Sequence, residues 1–178
     1  MSSNLETTLQ GKEEDQSYVN YTSYKFKVQF QYPATWIQSE KITNKEKGSD
    51  IWVTNYSNKS SAVFWISAGN DTHLGSDLEL GIKNLDIILM EKYTNQSYKI
   101  IEPPTISTID GKIAATFLHS FVESIDGIRV EEVQQVWLVY VGTRDYYLIG
   151  FKAPYQLFTG INNAQDRDNF IKSIRFLD

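Results

Sequence analysis

The chain has 178 residues, a formal net charge of −5 and no cysteine. That length suits one domain able to bury a core without covalent staples, the missing cysteines exclude disulfides and thiolate chemistry, and the acidic balance argues against a nucleic-acid partner, which needs a basic face. Two histidines confine any imidazole chemistry to His73 and His119, and no run of eighteen apolar residues exists to cross a bilayer.

The first nineteen residues are polar and poor in core formers, so a disordered tether is expected over 1–19 and a single domain over 20–178. From Tyr24 to Tyr32 aromatic and aliphatic residues alternate with Lys and Gln, which predicts a half-buried strand with Tyr24, Phe26, Val28, Phe30 and Tyr32 on its inner face. Pro33 ends it, and Trp36 and Ile37 are expected to fold back onto the core. The stretch 41–49 is charged and loop-like. Asp50 to Thr54 and Ala62 to Ala68 read as strands joined by a polar turn over 55–60. A helix is expected from Ser76, where Ser-Asp-Leu-Glu has the form of a capping box closed by Glu79. Leu78, Ile82, Leu85, Leu89 and Lys92 then recur at helical spacing, with Ile88 alongside, until about Tyr93. Glu102-Pro103-Pro104 is an extended connector to a short strand over Thr105 to Ile109.

Two Asp-Gly pairs, Asp110-Gly111 and Asp126-Gly127, punctuate the next part of the chain. Each suits a type I′ turn, which needs positive φ at both central residues. The second sets the register of a long hairpin: Ile125 faces Ile128, Phe117 meets Val136, Ala115 meets Leu138 and Ile113 meets Tyr140 on one face, while Thr116–Trp137 and Ala114–Val139 share the other. Both faces are apolar away from the turn, so this sheet must be covered on both sides. Pairs near the turn, Phe121–Glu132 among them, are more polar and are expected to project into water. A third strand, Tyr146 to Ala153, stops at Pro154. A loop is expected over 155–161 and a last helix from Asn163 to about Ile174, with Asn163 as its N-cap, Asp166 in its first turn and Phe170, Ile171 and Ile174 inward. Phe176-Leu177 is expected to return as a short extended end. The fold class expected is α+β, an antiparallel sheet covered on both faces.

Chemistry-bearing residues are sparse. Asp71, His73 and Asp77 lie close enough in sequence to be weighed as ligands of a divalent ion, against the simpler reading that acids there serve a turn and the first turn of a helix. His119, opposite Gln134 and near Glu123 and Glu132, offers an acid–imidazole pair, against a polar patch at an exposed strand end. Glu123, Asp126, Arg129, Glu131 and Glu132 cluster at the hairpin tip and are candidates for docking a protein partner, against a solvated tip. No Gly-x-Ser-x-Gly elbow, phosphate loop or dinucleotide fingerprint is present, and no cofactor is expected. Five Asn-X-Ser/Thr sequons, at Asn20, Asn55, Asn58, Asn70 and Asn95, favour export, against chance occurrence in an Asn-rich chain.

The order of Tyr24-Lys25-Phe26, Tyr32-Pro33-Ala34-Thr35-Trp36, Asp110-Gly111-Lys112, Tyr146-Tyr147-Leu148-Ile149-Gly150-Phe151 and Phe170-Ile171-Lys172-Ser173-Ile174-Arg175-Phe176 resembles the PsbP family, over about Tyr21 to Phe176. The resemblance implies an α/β/α sandwich around an antiparallel sheet, binding rather than catalysis, and export. The expected function is thus a non-catalytic extracytoplasmic interaction or assembly module docking onto an envelope protein or complex. It would be a monomer, tethered through a signal or lipid anchor removed ahead of Met1, at the cell surface, with a cytoplasmic location as the alternative. A small-molecule or lipid carrier lined by Trp36, Trp52, Trp65 and Trp137 is the second hypothesis, and a metal-assisted hydrolase using His73 the third. The N-terminal segment departs from that of the plant photosystem subunit, so the fold and the docking habit carry over rather than a photosynthetic role.

Overall fold

The structure is a computed structural model that describes residues 17–41, 49–54, 62–70, 74–142 and 145–178. In chain order its elements are β1 (Tyr18–Ser23), β2 (Val28–Pro33), β3 (Ile37–Lys41), β4 (Ser49–Thr54), β5 (Val63–Asn70), α1 (Leu78–Lys92), β6 (Lys99–Ile109), β7 (Lys112–Ile125), β8 (Ile128–Tyr140), β9 (Asp145–Pro154), α2 (Tyr155–Phe158), α3 (Ile161–Ser173) and β10 (Arg175–Phe176).

Both Asp-Gly pairs turn the chain as their chemistry requires. Asp110 and Gly111 have φ of 48° and 72°, Asp126 and Gly127 of 51° and 80°, the left-handed values of a type I′ turn. The register of β7 on β8 is set by the second turn, from Ile125↔Ile128 through Phe117↔Val136 and Ala115↔Leu138 to Ala114↔Val139. The ladder stops one pair short of Ile113–Tyr140. β9 continues it, and the whole forms a seven-stranded antiparallel sheet in the order β3-β4-β5-β9-β8-β7-β6, beside a three-stranded sheet in the order β1-β2-β10.

The large sheet is covered on both faces. On one, Leu85, Leu89 and Tyr93 of α1 and its C-terminal cap pack against Ala115, Phe117, Phe121, Val136 and Leu138. On the other, α3 and the small sheet close over Phe64, Trp137, Val139 and Phe151. Phe170 of α3 is the hinge pin of that layer, stacked on Phe64 with ring centroids 4.3 Å apart and edge-on to Phe30 at 5.1 Å. The α+β antiparallel class is as expected.

Several boundaries differ. Tyr24 to Tyr32 is not one strand: Tyr24 to Lys27 is a turn, Tyr24 is 85% exposed, and Lys27 takes φ 51°. The strand starts at Val28, and its partner β1 begins at Tyr18, inside the stretch assigned to the tether. Residues 1–16, 42–48 and 55–61 lie outside the described residues, and with them the turn expected at 55–60 and all but the ends of the loop expected at 41–49, where Lys41 closes β3 and Ser49 opens β4. Trp36 is buried, but Ile37 opens the edge strand β3 and is 55% exposed. The α1 cap is Asp77, whose carboxylate accepts from Leu80 N at 3.0 Å, not Ser76. β6 is longer than expected and passes through Pro103-Pro104 with two register shifts, which an edge strand tolerates because its outer donors bond nothing in the sheet. The loop after Pro154 contains α2. α3 starts at Ile161 behind Gly160, not Asn163, whose Nδ2 donates instead to Leu157 O at 2.8 Å. Asp166 is buried and accepts from Tyr18 Oη at 2.8 Å, tying β1 to α3.

Candidate functional site

Of the candidate metal ligands, Asp71 and His73 lie outside the described residues, and Asp77 serves as the α1 cap. Among the described residues no group of three His, Asp or Glu is placed to hold a metal ion. The five tip residues do not form one cluster. Side chains alternate along a strand, so Glu123 and Glu132 point to the α1 face while Arg129 and Glu131 point to the other, with Asp126 in the turn. Glu132 is only 3% exposed and its partner Phe121 1%, which corrects the expectation that the polar, solvated part of the hairpin begins at that pair. It begins beyond it.

His119 also sits in the interior, at 1% exposure, rather than at an exposed strand end. His119, Gln134 and Lys152 form one rung across β7, β8 and β9, and Phe121, Glu132 and Pro154 form the next. The C-terminal end of α1 lids these rungs. Tyr93 stacks on Phe121 with ring centroids 4.0 Å apart, and its hydroxyl donates to Gln134 Oε1 at 3.2 Å. His119 Nε2 lies 3.2 Å from that same oxygen, which makes Nε2 the donor and leaves Nδ1 as a bare acceptor. His119 Nδ1 and Glu132 Oε2 are buried without a hydrogen-bond partner among the described residues. Lys152 Nζ spans the rungs to reach Glu123 Oε2 at 3.0 Å.

Burial sets the charge of this cluster. It lowers the His119 pKa from 6.5 to about 4, with the nearby Lys92 adding to the effect against the Gln134 hydrogen bond. It raises the Glu132 pKa from 4.5 to about 7, the Lys152 ammonium opposing and the Glu123 carboxylate assisting. Burial likewise pushes the Tyr93 and Tyr98 hydroxyls up to about 12. The cluster therefore holds a neutral imidazole beside an acid that exchanges its proton near neutrality. Cross-strand pairing pointed to His119–Gln134. Tyr98, just before β6, packs on the His119 ring with centroids 5.3 Å apart; the roles of Tyr93 and Tyr98 had no signal beyond aromatic residues at and after a helix end.

Two surface features flank this interior. Of the fourteen exposed large apolar side chains among the described residues, eight lie on α1, β6 and the start of β7. Leu80, Ile87, Ile88 and Met90 stand out from α1. Ile100 and Ile106 share the sheet face that α1 covers, one strand further out, and Ile113 lies on that face at the start of β7. At the end of the sheet away from the hairpin tip, a groove of about 540 Å³ opens between the Tyr24–Lys27 turn, the start of β7, β9 and β10. The four tryptophans line neither: Trp36 and Trp137 are buried in the core under α3, whereas Trp52 and Trp65 pair at 6.5 Å on the opposite face of the sheet.

No family model matches the chain, and no curated protein matches it either. Solved structures do. The Ran-binding protein Mog1p of Saccharomyces cerevisiae superposes with a TM-score of 0.60 at 12% identity, over 92% of this chain and 97% of that one. Cyanobacterial PsbP from Synechocystis superposes with a TM-score of 0.56 at 15% identity, over 93% and 96%. A Bacteroides thetaiotaomicron structure gives 0.54 at 15% identity over 92% of this chain, which spans about half, 49%, of that longer one. The chain has the Mog1/PsbP-like fold. At these identities the likeness is one of fold. In this Mog1/PsbP-like frame the long β7–β8 hairpin carries the polar cluster toward one end and borders the groove at the other, and no described helix is long and apolar enough to cross a membrane.

Proposed function

We propose that the chain is a non-catalytic interaction module that docks a protein partner across α1 and the β6–β7 edge. The observation that carries this is the concentration of seven exposed aliphatic side chains on α1 and on the sheet face beside it, since exposed apolar surface that gathers in one region marks an association site. The binding of Ran by a protein of the same fold is in keeping with it. Exposed Asp126 in the turn, with the half-buried Glu123 on the α1 face, would give the polar rim beyond Ile100; Arg129 and Glu131 point to the opposite face and Glu132 lies too deep to take part. The proposed compartment is extracytoplasmic, supported by the polar N-terminal run and by sequons Asn20 and Asn95, both on the surface. A monomer docking onto an envelope protein is the proposed assembly.

A photo-crosslinking residue placed at Ile88 or Ile113, both exposed on the same surface, tests the docking surface in the source cell. It is expected to trap one discrete partner in the envelope fraction, lost when Ile87 and Ile106 are both changed to Asp. Crosslinking that is equal from Lys172, on α3 at the far side, or that survives the double substitution, sinks the proposal.

A further inference from the structure

The groove beside the Tyr24–Lys27 turn is independent of the docking surface. Three lysines, Lys25, Lys27 and Lys112, line it together with Phe26, Tyr147 and Phe176. Asp145 and Asp178 also line it, yet none of the three lysines is within ion-pairing distance of a carboxylate among the described residues. Three cations without a carboxylate partner among the described residues thus gather at one place on a protein whose net charge is −5, Lys25 Nζ lying 5.6 Å over the Phe26 ring. The turn that presents two of them is fastened from three sides. Phe26 N donates to Ser23 Oγ at 3.2 Å, Phe26 O accepts from the Tyr147 hydroxyl, and Lys27 O accepts from Leu177 N at 2.8 Å. Lys27 is held at φ 51°, a left-handed conformation that costs energy for a side chain of this kind. The floor is aromatic, with the Tyr147 and Phe176 rings 4.8 Å apart.

We propose that this groove binds a small organic anion with a flat apolar body, an aryl phosphate or aryl carboxylate. The anionic head is held by the three lysines, two of them carried on the fixed turn, and the ring lies against Tyr147 and Phe176. The volume of about 540 Å³ is that of a small-ligand site, and a fixed turn lowers the ordering cost of binding.

The test titrates the full chain with phenyl phosphate and phenylacetate, with benzyl alcohol as the neutral control, and monitors backbone amide shifts. Shifts confined to Lys25–Lys27, Lys112 and Phe176–Leu177 are expected. Affinity should drop about tenfold or more in a Lys25→Ala/Lys112→Ala variant, because charge-assisted bonds are lost, and should weaken with added salt. Both lysines are exposed, and unchanged amide shifts elsewhere show that the variant is folded; each single variant serves if the double is not. Equal binding by benzyl alcohol, an unaltered affinity in the lysine variants, tighter occupation by an acidic peptide, or no shifts at about millimolar anion each overturns the proposal. Preference between phosphate and carboxylate names the head group.

Discussion

Glu132 and His119 pull the pH dependence of stability in opposite directions. Glu132 has a folded pKa near 7 against 4.5, so the folded state holds a proton that the unfolded state releases. Its contribution is complete below pH 4.5 and is lost as pH rises to 7. His119 has a folded pKa near 4 against 6.5; its contribution is complete above 6.5 and is lost as pH falls to 4. Between 4.5 and 6.5 the two slopes cancel, and each alone amounts to roughly 3 kcal/mol. Denaturant titrations should therefore find a plateau for this pair in the natural chain. Glu132→Gln is expected to rise in stability from pH 4 to 6.5 and to exceed the natural protein at pH 8. His119→Gln should fall in stability from pH 4.5 to 7. At Gly150 an added Cβ would run into the Trp65 indole. Gly150→Ala should cost about 1–3 kcal/mol by overpacking, and most of that should be relieved when Trp65 is also shortened.

At the scale of elements, the start of α1 separates two caps one residue apart. Asp77→Ala is expected to lower stability by about 1 kcal/mol in a thermal melt, whereas Ser76→Ala leaves it unchanged, since only the Asp77 carboxylate bonds a helix amide. Gly127→Ala, at φ 80°, should cost about 1 kcal/mol as well. That turn shows what a sequence makes legible. Asp126-Gly127 is local chemistry, so turn, register and the two-sided burial of β7 and β8 could all be worked out from it. The Tyr24–Lys27 turn was hidden because its residues mimic the period of a strand, and it is fixed by Tyr147 and Leu177, more than a hundred residues away. His119 could be paired with Gln134, but its burial depends on Tyr93 and Tyr98 closing over it, and strand periodicity carries no information about that lid. The short elements β3, β10 and α2 exist through their neighbours more than through propensity, and only β10 had a local cue.

For the whole molecule, the outer surface of α1 and the β6–β7 edge should govern association. Ile87→Asp with Ile106→Asp is expected to leave the melting curve nearly unchanged, both side chains being exposed, while removing partner capture from the envelope fraction. The β6 edge has a second effect. Among the described residues the seven-stranded sheet ends in β3 and β6, and the β6 margin, eleven residues long, would otherwise be a template on which another chain could lengthen the sheet. Pro103 and Pro104 deny amide donors at its centre, and the two register shifts bend the strand out of line. Replacing both prolines with Val should convert the protein into soluble multimers and then fibrils, seen as rising light scattering on storage. The pair of prolines thus acts as a stopper against runaway polymerisation, leaving the isoleucines around it free to stay exposed at cellular concentrations.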